Sequence, residues 1–353
     1  MTFSLPAPCN RPESRYLISA CSSLASHPGG IVTEAPAACL HPLSDPLARP
    51  RTYFPFGISA EVRTVPRAYV HLAHEDTVFI TGWKRLKTHK FLLTAVWPGS
   101  AGIRPYDPRV LSQLIRQSGL AIAHAEYDVP LAYQTLLHSL DYDVAEGLAL
   151  PDDRPTPLEI EVAVSEAGRK GRTARSLTME VRLRAHGATV VTSRSEFGWV
   201  SPAVYRRLRG GRPTAAWGAW PLPAPLAPES VGRTADADVV LSPGLRPHHW
   251  QLRNDVANTL LFDHPVDHVP GLVLVEAALQ AARARLPGFA VRTVRSSYQR
   301  FAELDEPCWI EVRPAGPPGP DGGGTLLVGG TQDGRPVFDI ALGGTVRRPV
   351  SHP

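Results

Sequence analysis

Lysine is nearly missing from this sequence. It occurs only at Lys84, Lys87, Lys90 and Lys170, so the formal charge of +4 rests on arginine. The arginines are scattered, and no helix-turn-helix, zinc-finger or aromatic-rich RNA-binding signature accompanies them, which argues against a nucleic-acid partner. A basic surface of this kind suits an acidic protein partner instead. Cysteine is scarce as well. Cys9, Cys21, Cys39 and Cys308 lack C-x-x-C spacing, so neither a zinc site nor a disulfide framework is expected. Also absent is any run approaching the roughly 20 apolar residues that span a bilayer. Ile18-Ser19-Ala20-Cys21 has the outline of a lipoprotein cleavage site, but Pro12, Glu13 and Arg15 leave no apolar stretch ahead of it. The chain is therefore expected in the cytoplasm, with no membrane contact and no metal.

Proline, serine and alanine crowd residues 1 to about 58. No hydrophobic period is sustained there, and the segment is expected to be mostly disordered or to precede the true start. A second break falls at about residues 208–232. Gly210-Gly211-Arg212-Pro213 and Pro221-Leu222-Pro223-Ala224-Pro225 can sustain neither a helix nor a central strand. Two units remain, residues 59–207 and 233–349.

In the first unit, residues 69–81 and 91–97 read as strands, and Asp107-Pro108 supplies an N-cap followed by a favoured first helical residue. Val110, Leu111, Leu114, Ile115, Ala121, Ile122 and Ala125 then keep helical spacing up to Val129-Pro130. Three strands follow, at 158–164, 177–183 and 189–199. Met179, Val181 and Leu183 alternate with Glu180, Arg182 and Arg184, the mark of a sheet with one wet face. The second unit repeats this order, with a strand near 237–241, a helix over about 271–285, and strands after Pro287-Gly288. Its Asp333-Gly334 suits a type I′ hairpin turn. Between residues 272 and 282 its helix is apolar on nearly every side, interrupted by Glu276 and Gln280, so it must be buried all round. A long helix wrapped by one antiparallel sheet, twice over, predicts an α+β chain of two fused hotdog domains.

The stretch Phe262-Asp263-His264-Pro265-Val266-Asp267-His268-Val269-Pro270-Gly271, continued by Leu272-Val273-Leu274-Val275-Glu276-Ala277-Ala278-Leu279-Gln280, resembles the core motif of the A-factor (γ-butyrolactone) biosynthesis family. In the first unit, Gln113-Leu114-Ile115-Arg116-Gln117, with His124 and Tyr127-Asp128-Val129-Pro130, is similar to that family's matching helix. The resemblance covers about residues 60–346. It implies an intrachain pseudo-dimer of hotdog domains and an acyltransferase of bacterial signal biosynthesis. The implied reaction condenses a β-ketoacyl thioester, on acyl carrier protein or coenzyme A, with dihydroxyacetone phosphate or a similar small alcohol. No cofactor is implied, because transfer from an activated thioester needs neither redox chemistry nor a metal. The family pattern is Glu-x-x-Arg-Gln on both helices. Here the first helix reads Gln113, Arg116, Gln117 and the second reads Glu276, Leu279, Gln280.

Burying a carboxylate costs several kcal/mol unless it is partnered or takes up a proton, so Glu276 is expected to act as the general base. His264 and His268 are expected to orient substrate or donate to its carbonyl, which backbone N–H groups near Gly271 would polarise. Gln280, like Gly271, Gln113 and Gln117, is expected to contact substrate. Arg116, on a helical face with Gln113, Gln117 and His124, suits a phosphate. Chemistry is expected in one half-site only, since Gln113 cannot accept a proton near neutral pH. His71, His74 and His89 are expected to be surface or sheet residues without a role. Two competing readings are a catalytically weakened acyl-thioester binding protein, which Gln113 and Leu279 favour, and a hotdog dehydratase or thioesterase. Dehydration is disfavoured because the loop after Trp97 offers no histidine to set against Glu276.

Overall fold

The computed structural model describes residues 62–99, 106–150, 154–171, 173–212, 214–317 and 323–346, all within one compact unit from Ser59 to Pro353. The expectation for residues 1–58 lies outside the described residues.

The first half contains β1 (Arg63–Thr64), β2 (Ile80–Lys87), β3 (Lys90–Trp97), α1 (Pro108–Glu126), β4 (Gln134–Val144), β5 (Thr156–Lys170), β6 (Thr173–Ala185) and β7 (Ala188–Val200). A short helix, α2 (Pro202–Arg209), leads into the second half. That half contains β8 (Leu241–Pro243), β9 (His249–Leu252), α3 (Gly271–Arg285), β10 (Phe289–Tyr298), β11 (Cys308–Pro314), β12 (Gly323–Gln332) and β13 (Arg335–Val346). The strands form one sheet in the order β1-β2-β3-β5-β6-β7-β4-β10-β13-β12-β11-β9-β8. Read outward from its middle, the order in one half mirrors the order in the other. α1 packs on the first half of this sheet and α3 on the second, and the two helices touch. Each half is thus a hotdog, and the pair is a pseudo-dimer within one chain.

The halves meet where β4 and β10 pair antiparallel, Asp143 opposite Thr293 and Tyr142 opposite Val294. Further along, a side chain continues the ladder. The Ser296 hydroxyl accepts from the Leu140 N–H at 2.7 Å and donates to the Leu140 carbonyl at 3.0 Å, while the Ser296 N–H donates to Asp141 Oδ1 at 2.8 Å.

Local chemistry sets the element ends. Asp107 caps α1 by accepting from the Arg109 N–H at 2.9 Å, with Pro108 at the first helical position. Asp333 (φ 49°) and Gly334 (φ 66°) both take the left-handed conformation that a type I′ turn needs, and they join β12 to β13 across the Gln332/Arg335 pair. In α3, Leu272, Val273, Leu274 and Val275 are all buried, each contributing roughly 1.5–3 kcal/mol relative to exposure.

Residues 69–81 are not the strand their composition predicts. They form 3₁₀ turns at Arg67–Val70 and Glu75–Thr77, and β2 begins only at Ile80. The second half repeats this, with turns at Pro228–Val231 and Asp236–Asp238 ahead of β8. A glutamine on each central helix explains both. Gln117 accepts from the Phe79 N–H at 2.9 Å and donates to the Thr77 carbonyl at 2.8 Å. Gln280 accepts from the Val240 N–H at 3.0 Å and donates to the Asp238 carbonyl at 2.7 Å. Each amide takes the hydrogen bonds that a neighbouring strand would otherwise supply. The segment after α2 is packed rather than loose. Trp217 lies 5.7 Å from Trp220 and 6.1 Å from Phe262 between ring centroids, and the Trp220 indole donates to the Asn254 carbonyl at 2.8 Å.

Candidate active site

Glu276 is 2% exposed, and its two carboxylate oxygens have different surroundings. Oε1 accepts from Arg233 Nε at 2.8 Å, Arg233 Nη2 at 2.5 Å and Gln280 Nε2 at 2.5 Å. Oε2 is buried and has no hydrogen-bond partner among the described residues. The apolar surroundings expected for this carboxylate are therefore corrected: a guanidinium from outside the recognised motif holds it. Arg233 follows the turn Pro228–Val231, whose cap, Gly232, has φ 66°.

The first half completes this centre. Arg233 Nη1 lies 3.4 Å from Asp107 Oδ1, and Arg109 Nη2 lies 2.7 Å from Asp107 Oδ2. Arg109 also pairs with Asp238. Burial would raise the Asp107 pKa, but Arg233 and then Arg109 outweigh it and hold the carboxyl at about 2. The Tyr142 phenol on β4 is held well above its ordinary value, first by burial and then by Tyr106, with the Ser112 hydroxyl opposing and Glu276 adding to the rise. Residues from α3, the 228–238 segment, the start of α1 and β4 thus surround one carboxylate. Among the described residues no histidine contacts it.

At the start of α3, a Cβ on Gly271 would lie 2.9 Å from Leu137 Cδ2 and 3.6 Å from the Tyr298 ring. Glycine therefore lets β4 and β10 close over the helix start. No side chain caps this end, and Pro270 precedes it. The amide of Gln280 is fully engaged by Glu276, Val240 and Asp238, and that of Gln117 bonds to Phe79 and Thr77. Both glutamines position backbone, so direct contact with substrate, expected from sequence, is not what their hydrogen bonds support.

His264 and His268 do not join Glu276. His264 Nδ1 lies 3.1 Å from Asp263 Oδ2, and Asp263 also accepts from the N–H groups of Ala73 (2.5 Å) and His74 (3.1 Å) and from Thr77 Oγ1 (3.0 Å). These bonds overcome burial and lower the Asp263 pKa. The same region holds Arg116, which donates to the Val70 carbonyl at 3.2 Å, and Gln113, which donates to the Leu260 carbonyl at 2.8 Å. His71, expected to be idle, lies here too. Its Nε2 is 2.7 Å from His124 Nε2, and His124 Nδ1 is 2.7 Å from the Val129 carbonyl. His268 belongs to a third group. Its Nδ1 lies 2.8 Å from Asp267 Oδ1 and 3.1 Å from the Tyr205 hydroxyl, while Arg209 on α2 ties Asp267 to Glu303. That set of contacts braces the loop ahead of α3.

A family model described as the A-factor biosynthesis hotdog domain matches residues 57–200 and again 216–346. The chain belongs to the A-factor biosynthesis hotdog family. Among curated relatives, a 2-oxo-3-(phosphooxy)propyl 3-oxoalkanoate synthase of Streptomyces virginiae is 45% identical over 287 residues, spanning 79% of this chain and 97% of that protein. A synthase of the same description from Streptomyces coelicolor is 36% identical over 292 residues, spanning 79% and 91%. Among solved structures, a 12:0-ACP thioesterase from Umbellularia californica aligns over 72% of this chain and 98% of its own, at 10% identity and a TM-score of 0.46. The A-factor motif had pointed to the two central helices. It did not point to Arg233, Asp107, Tyr142 or His71, which lie outside them or serve elsewhere as a cap.

Proposed function

We propose that this A-factor family member is an acyltransferase that joins a 3-oxoacyl thioester to a hydroxyl of dihydroxyacetone phosphate, forming an acyl ester and a free thiol. The relatives' descriptions support this reading, since 2-oxo-3-(phosphooxy)propyl is the alcohol part and 3-oxoalkanoate the acyl part of such an ester. The observation that carries it to this chain is Glu276, a buried carboxylate with Oε1 saturated by Arg233 and Gln280 and Oε2 without a partner. An unsatisfied buried oxygen is costly, and the hydroxyl of the acceptor alcohol would satisfy it.

In this mechanism the alcohol O–H gives its proton to Glu276 Oε2 while its oxygen attacks the thioester carbonyl carbon. Backbone N–H groups at the start of α3 stabilise the oxyanion. The C–S bond then breaks, and the leaving sulfur takes the proton from Glu276, so atoms and charge balance without a cofactor. Arg233 is a positioning residue that fixes which oxygen is free. The thioester is carried on acyl carrier protein or coenzyme A, and the cytoplasm supplies both substrates. Incubating the chain with a 3-oxoacyl thioester and dihydroxyacetone phosphate should release thiol and ester in equal amounts, read by mass spectrometry. Thiol release that is independent of the alcohol would instead indicate hydrolysis.

A further inference from the structure

The two halves differ at a position where their backbones agree. Gln117 and Gln280 bind equivalent turns through Thr77 and Asp238, which places His71 opposite Gly232. Both residues end a 3₁₀ turn in the left-handed conformation, His71 at φ 53° and Gly232 at φ 66°. Glycine adopts that conformation freely, whereas a Cβ disfavours it. His89, His186 and His248 take the same conformation, so it is the contact of His71 with His124, and not its backbone, that points to a role.

The hydrogen bonds assign its tautomer. The Val129 carbonyl can only accept, so His124 Nδ1 carries a hydrogen and its Nε2 is a lone pair. His71 Nε2 must then donate across the 2.7 Å contact, which leaves His71 Nδ1 as an acceptor. Burial, followed by His124, Arg116 and His264, holds the His71 pKa down at about 3. Arg116 spends one hydrogen bond on Val70 and forms no ion pair among the described residues. The nearby Asp263 is occupied by Ala73, His74, Thr77 and His264. His71 is partly buried and His264 is 38% exposed at its side chain, while burial, opposed by Asp263, lowers the Arg116 pKa to about 10, a desolvated cation that an anion would stabilise.

We propose that Arg116, His71 and His264 form a phosphomonoester-binding site separate from the Glu276 centre, with His124 as the residue that positions His71. The Arg116 N–H groups meet the phosphate oxygens, and His71 Nδ1 accepts the remaining P–OH. A monoester retains that hydroxyl with a pKa near 6, whereas a phosphodiester has none. The site therefore favours a small phosphorylated metabolite or the terminal phosphate of a nucleotide carrier over the diester arm of a carrier protein.

Titration calorimetry on the full chain tests this without turnover, and the His71 and Arg116 variants separate binding at this site from binding of the same ligands as substrates at the Glu276 centre. Inorganic phosphate, dihydroxyacetone phosphate and coenzyme A are expected to bind, and dimethyl phosphate and dihydroxyacetone to bind at least tenfold more weakly. Comparing dihydroxyacetone phosphate with coenzyme A identifies the source. Affinity for the monoesters should fall as pH rises from 6 to 8. His71→Gly, which places in the first half the residue the second half already uses, should keep or raise the melting temperature yet lose at least tenfold in affinity along with the pH dependence. Arg116→Met should lose a similar factor. If both variants bind phosphate as the parent does, or if monoester and diester bind alike, the proposal fails.

Discussion

Arg233 places both of its contacting nitrogens, Nε at 2.8 Å and Nη2 at 2.5 Å, on the same oxygen of Glu276. A guanidinium facing a carboxylate can bridge both oxygens in a parallel pair. Here the geometry saturates Oε1 and spares Oε2, and in the proposed mechanism that asymmetry leaves one oxygen to act as the base.

Removing the arginine should cost both stability and catalysis. Breaking a buried ion pair from one side costs about 3–5 kcal/mol, so Arg233→Met should melt well below the parent. Arg233→Lys keeps the charge but cannot make both contacts, and it should recover most of the stability while kcat stays reduced. Thermal melts and steady-state rates on the two variants separate these effects. Full recovery of kcat by lysine would mean that charge alone matters.

The glutamines should behave as backbone anchors. Gln280→Leu strips the Val240 N–H and the Asp238 carbonyl of their partner, and Gln117→Leu does the same to Phe79 and Thr77. Each orphaned buried group costs about 1–3 kcal/mol, so with two groups orphaned each variant should lose roughly 2–6 kcal/mol in denaturant unfolding. For Gln117→Leu the Michaelis constants should stay within about twofold. A large rise in a Michaelis constant with unchanged stability would restore a substrate-binding role.

Acid should loosen the junction between the halves. Asp107 ionises at about 2 in the folded chain against an ordinary 3.8, so its contribution is complete above about pH 4 and is lost as pH falls through 2. The shift corresponds to roughly 2 kcal/mol. Stability measured between pH 5 and 2 should fall less steeply in Asp107→Asn than in the parent. Parallel curves would show that Asp107 is not a source of the acid sensitivity.

The architecture was legible because the central helices and the hairpin follow local rules: Asp107-Pro108 starts α1, Asp333-Gly334 turns β12 into β13, and the apolar run after Gly271 can only be buried. β4 was not expected. His138, Asp141 and Asp143 break its apolar pattern, and it is a strand because it pairs with β7 from Gln134 to Val144 and with β10 on its other edge, where Ser296 bonds to Leu140. Residues 69–81 read as strand because no local signal reveals that Gln117, far along the chain, captures Thr77 and Phe79. The site was legible only in part for the same reason. Glu276 lies in a recognisable motif, whereas Arg233 and His71 act through contacts separated from their partners by 43 and 53 residues. His264 and His268 lie near Glu276 in sequence, but Asp263 and Asp267 turn them to other tasks.

The central claim is that Glu276 is the base of a single reactive centre. Glu276→Gln keeps the shape and an acceptor for Arg233 but cannot take up a proton near neutral pH. The decisive measurement is ester formation from a 3-oxoacyl thioester and dihydroxyacetone phosphate by this variant and its parent, with folding checked by thermal melting. The account predicts a kcat lower by about 10²–10⁴ with the Michaelis constants little changed. A folded Glu276→Gln that turns over at more than about a third of the parental rate would contradict it.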